Sequence, residues 1–133
     1  MFDWLSQVDL GVIVLFSMFF LHIIADFLVQ GNFMATYKQK KNWEPYLKEG
    51  PYEHDYLVVL AVHAFSWAFI TFLPLLFYTH NATFFVCGLF VNTVVHMFVD
   101  HLKCNLHKIN LIDDQICHLV QIVITMIFSY WFM

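Results

Sequence analysis

Four apolar runs dominate the chain, at about residues 8–30, 56–78, 83–103 and 112–132. Each comes near the ~20 residues with which an α-helix crosses ~30 Å of hydrocarbon. In lipid the backbone N–H and C=O groups must be satisfied inside the segment, so runs of this kind fold as helices. The expected architecture is all-α, a membrane-embedded four-helix bundle in which residues 1–133 make one transmembrane domain. Composition agrees, with 61% of the 133 residues hydrophobic and only 12% charged. The opening stretch MFDWLSQVD is acidic where a signal peptide is basic. The run after it is too long and lacks a small-residue cleavage site, so it is expected to stay attached.

Residues 31–55 form the one long loop and hold Lys38, Lys40, Lys41 and Lys48; Lys103 and Lys108 flank the link between the third and fourth runs. Trp, Tyr and Pro in the long loop suit a membrane interface, part helix and part coil. Positive loops stay inside, so both termini are expected to face outward, in a multi-pass protein of the cell membrane. All six basic residues are lysines, which argues against nucleic-acid binding. Cys87, Cys104 and Cys117 are scattered and are expected to be thiols. Membrane lipids are the expected partners, and a homo-oligomer is left open.

Inside these runs lie His22 and Asp26, His96 and Asp100, and Asp114 and His118, each pair four residues apart, with His63 in the second run. That spacing puts both side chains of a pair on one face of a helix. Counted at ~1.5 Å per residue from the inner surface, the four histidines fall at roughly 9–12 Å and the three aspartates at roughly 3–6 Å. An ionisable group facing lipid costs on the order of 3 kcal/mol, so these seven are expected to converge inside the bundle. Carboxylates and neutral imidazoles in a low-dielectric interior call for a cation. Their donors suit zinc first, with iron or manganese next.

The expected ligands are therefore His22, Asp26, His63, His96, Asp100, Asp114 and His118. Seven exceed the four that one tetrahedral zinc takes, so either some aspartates support histidines or one or two ions share the cluster. Gln30, Asn92, Lys103, Gln115 and Gln121 are candidates for orienting a ligand or touching a substrate. Lys38 reads as a topology determinant, and Asp113 and His101 point away from the cluster. The shared His-x-x-x-Asp pattern of the first and third runs hints at a duplicated helical hairpin.

The combined spacing of HIIADFLVQGNFMATYK, His63, HMFVDHLK and DQICH resembles the signature of a small integral membrane family of bacteria and their phages, domain of unknown function 3307 (DUF3307). The matching positions are His22, Asp26, Gln30, Met34, Ala35 and Lys38, then His63, then His96, Asp100 and Lys103, then Asp114, Gln115 and His118. The resemblance implies a fold and a site but no reaction. A looser similarity to membrane-bound metal-dependent hydrolases is analogy alone.

Two functions of different class suit such a site. A metal-dependent hydrolase would activate water on the ion, with Asp26 or Asp100 taking its proton, against a lipid or phosphoester of the inner leaflet. A proton or divalent-metal transporter would use the same residues transiently, although transport sites usually sit at the midplane. A non-catalytic accessory protein of the membrane is the third reading. Haem is disfavoured, because a bis-histidine haem leaves three carboxylates without a purpose.

Overall fold

Long apolar stretches with few breakers become five α-helices in the computed structural model, which describes residues 2–48 and 50–132, with side chains from Asp9 onward. Helix α1 runs Phe2–Ile23 and continues through a π-helical turn at Ile24–Val29. The short helix α2, Gly31–Tyr37, is followed by a 3-10 turn at Lys40–Trp43. Helices α3, α4 and α5 span Asp55–Thr79, Ala82–Cys104 and Leu111–Ser129. Asp9–Val29, α3, α4 and α5 are long and apolar enough to cross a membrane. Their bounds differ from the sequence-based spans by a few residues, chiefly at α5, which stops at Ser129.

Caps explain two of the helix starts. Asn110 Oδ1 accepts the N–H groups of Ile112 and Asp113 at 2.8 and 3.0 Å, while Asp113 Oδ2 accepts the Asn110 N–H at 3.3 Å. This reciprocal cap holds Asp113 at the exposed end of α5 and leaves Asp114, one residue on, to turn inward. At the α3–α4 turn, His80 adopts a left-handed backbone (φ 50°) and Asn81 Oδ1 accepts the Phe84 N–H at 2.9 Å.

Helix α3 packs against both α1 and α4, and α5 closes the ring against α4 and α1. Met18, Phe72, Leu75, Ile122 and Met126 fill the half of the bundle away from the lysine-bearing ends. Outward stand Phe16, Phe20, Phe65, Phe90 and Ile127, all exposed. A surface so broadly apolar suits lipid and not water, and the fold is that of a multi-pass membrane protein.

Candidate metal centre

Four helices bring the seven histidines and aspartates together in the other half of the bundle, none of them more than 7% exposed. Imidazole nitrogens and carboxylate oxygens meet directly. His63 Nε2 lies 3.3 Å from His96 Nε2, 3.4 Å from Asp26 Oδ1 and 3.3 Å from Asp100 Oδ2. His118 Nε2 lies 3.5 Å from Asp100 Oδ1 and 3.4 Å from Asp114 Oδ1. These separations exceed good N–H···O hydrogen bonds. They match the about 3.3–3.5 Å edge of a tetrahedron whose centre is an ion bonded at 2.0–2.1 Å. Three triads have ligand atoms that all lie within 4.8 Å of one another: Asp26, His63 and His96; His96, Asp100 and His118; and Asp26, Asp114 and His118.

Each carboxylate is divided in use. Gln115 Nε2 donates to Asp26 Oδ2 at 2.9 Å and to Asp114 Oδ2 at 3.1 Å. Lys38 Nζ donates to Asp100 Oδ2 at 2.5 Å, and Lys103 Nζ to Asp114 Oδ2 at 2.5 Å. The other oxygens of Asp100 and Asp114, together with His118 Nε2, are buried without a hydrogen-bond partner. Unpaired polar atoms at such depth are costly unless a cation joins them.

His22 stands apart from this pattern. Trp67 Nε1–H donates to His22 Nδ1 at 2.8 Å, which places the ring proton on Nε2, where it is given to Gln115 Oε1 at 3.1 Å. Both nitrogens are engaged, so the expectation of His22 as a ligand gives way to a role in orienting Gln115, and through it Asp26 and Asp114. The π turn explains why Asp26 departs from His22: its wider helical step re-aims the carboxylate toward α3 and His63. Asp100 lies in a regular α turn, so the two His-x-x-x-Asp motifs differ locally.

The supporting residues sort by geometry. Gln30, with its amide oriented to satisfy both partners, donates to the Asp26 carbonyl at 2.9 Å and accepts from Lys38 Nζ at 2.5 Å. Lys38 is thus no mere topology determinant: it is buried and enters the centre from α2. Lys103 supports Asp114 and lies 3.8 Å from Asp100 Oδ1. Gln121, a candidate for orienting a ligand, bonds a neighbouring helix. Its amide donates to Asn92 O and Oδ1, both at 2.8 Å, and ties α5 to α4 one turn beyond the histidines. His101 is half-buried and stacks on Tyr56.

Sequence reasoning missed Trp67 and Asn105. Trp67 lies one turn from His63, a spacing that could have flagged it. Asn105 holds α2 in place by accepting the Lys40 N–H at 2.7 Å and donating to the Lys38 carbonyl at 3.1 Å, and no local pattern announces it.

No curated protein and no solved structure matches the chain. The family model DUF3307, a protein of unknown function, matches residues 14–133, a span that includes every residue of the centre. On that match over nearly its whole length, the chain belongs to the DUF3307 family.

Proposed function

We propose that the protein is an integral membrane metalloprotein of the bacterial inner membrane, a metal-dependent hydrolase acting on an ester or phosphoester of a lipid in the cytoplasmic leaflet. What carries this reading is the division of labour in the three carboxylates. One oxygen of each is fixed by lysine or glutamine, and the other faces an imidazole nitrogen at 3.4–3.5 Å; in Asp100 the oxygen held by Lys38 also lies 3.3 Å from His63 Nε2. Zinc suits the donors first, and iron or manganese would accept the same set. Lysines crowd this end of the bundle, which supports placing it at the cytoplasmic face.

The ion would lower the pKa of a bound water, and Asp26 or Asp100 would take its proton. Asp26 is the better placed of the two, being the least buried of the ligands. A groove of about 400 Å³ between α4 and α5, walled by Val95, Val99, Ile116 and Val120, runs beside the centre on the bilayer side and would seat an acyl chain. Nearly complete burial of the ligands favours a second reading, transport of protons or a divalent ion.

The test is direct. Protein purified in detergent, loaded with zinc and desalted is expected to retain metal on elemental analysis and to lose it in His96→Ala. Lipid extract incubated with wild type is expected to accumulate a cleaved product that Asp100→Asn does not form. Identical extracts, together with zinc flux into liposomes abolished by the same substitutions, would replace hydrolysis by transport. Failure of wild type to retain metal would overturn the metal reading itself.

A further inference from the structure

We infer that the centre holds two divalent ions bridged by Asp100, one on His63, His96 and Asp26 and the other on His118 and Asp114. The inference rests on the metal reading above and decides how its ligands are shared. An ion bonded at 2.05 Å stands about 3.2 Å from an imidazole centroid, so two rings sharing it at the tetrahedral angle have centroids about 5.2 Å apart. His63 and His96 meet this condition, with centroids 5.1 Å apart, planes inclined by 59° and Nε2 atoms 3.3 Å apart.

His96 and His118 do not. Their centroids are 4.0 Å apart and their planes only 24° from parallel, and Trp67 lies against both rings, 4.1 Å from His96 and 5.2 Å from His118. Planes so inclined meet roughly 8–9 Å away, far beyond an ion bound to either ring. One ion serving both would sit more than about 1 Å out of each ring's plane, where the nitrogen lone pair does not point. Stacked rings therefore serve separate ions side by side.

Asp100 lies across the two positions. Its Oδ2, which also accepts from Lys38 Nζ at 2.5 Å, is 3.3 Å from His63 Nε2, in the first site, and its Oδ1 is 3.5 Å from His118 Nε2, in the second. A carboxylate that offers one oxygen to each side is the natural bridge for ions ~3.5–4 Å apart. Asp26 completes the first site through Oδ1, 3.4 Å from His63, and Asp114 the second through Oδ1, 3.4 Å from His118. Each ion then has four protein donors at most in the first site and three in the second, which leaves the second the more open to water.

The experiment loads the full chain in detergent with Mn²⁺ and reads both stoichiometry and electron paramagnetic resonance. Wild type is expected to hold two equivalents with an exchange-coupled spectrum. His118→Ala and His63→Ala are each expected to hold one, with the six-line spectrum of an isolated ion. One equivalent in wild type, lost from both variants, would overturn the paired site while leaving a metal centre. Two equivalents with no coupling would overturn it as well, since the second ion would then lie elsewhere. No bound Mn²⁺ or zinc in wild type would instead remove the reading beneath it. The wild-type spectrum decides the matter even if a variant fails to fold.

Discussion

Lys38 shows how much one side chain decides here. Its ammonium group and Asp100 are both buried and 2.5 Å apart, so Lys38→Met leaves a carboxylate in the bundle interior with only imidazoles and the more distant Lys103 for company. Breaking a buried pair in this way costs about 3–5 kcal/mol. A divalent ion on Asp100 would supply much of the missing positive charge. Thermal unfolding in detergent is therefore expected to show a large loss for Lys38→Met in chelator and a small one in excess zinc. Equal losses in both would take Asp100 out of the ligand set. Trp67→Phe makes the contrast. It keeps an aromatic ring against His96 but removes the N–H that His22 Nδ1 accepts, at a cost of about 1–3 kcal/mol. That loss is expected with and without zinc, because His22 holds Gln115 and not an ion.

Helices α1, α3, α4 and α5 were legible because lipid imposes length and hydropathy directly on the chain, and the histidine and aspartate positions followed from helical spacing. What escaped is local and non-periodic. The π turn at Ile24–Val29 leaves no mark in an apolar stretch, yet it sends Asp26 to His63 while His22 turns to Trp67 and Gln115. The fold-back of α2 escaped for another reason. Whether Lys38 faces headgroups or Asp100 depends on contacts with Asn105, more than sixty positions along the chain, and on the turn at Gly31. Gly31 is left-handed (φ 62°), and a side chain there would meet nothing within 4 Å, so Gly31→Ala is expected to cost only the backbone term, about 1 kcal/mol, with the centre intact. Asn105→Ala acts differently, since it removes the two hydrogen bonds that tie Lys38 and Lys40 to the end of α4. Hydrogen exchange is expected to rise across 31–43 and to stay unchanged in α3 and α5. Unaltered exchange at 31–43 would mean that the Asn105 bonds do not hold the segment.

At the scale of the molecule, the two halves of the bundle are chemically unlike: one is filled by Met18, Phe72, Leu75, Ile122 and Met126, the other by the His/Asp/Lys centre. Which leaflet meets the centre therefore follows from orientation alone. All six lysines lie in the segments at the centre's end, whereas the α3–α4 turn at the opposite end carries none. By the bias that keeps positive loops inside, the centre is expected to face the cytoplasm and the α3–α4 turn to face out. A single-cysteine series checks this, with Cys87, Cys104 and Cys117 replaced by serine and one cysteine restored at an exposed site on either end, Lys41→Cys or Thr83→Cys. In intact bacterial cells a membrane-impermeant maleimide is expected to label the cysteine at position 83 and to reach the one at position 41 only after permeabilisation. The opposite pattern would turn the centre to the outer leaflet and move the proposed lipid substrate with it, while every distance among His63, His96, His118 and the three aspartates stayed the same.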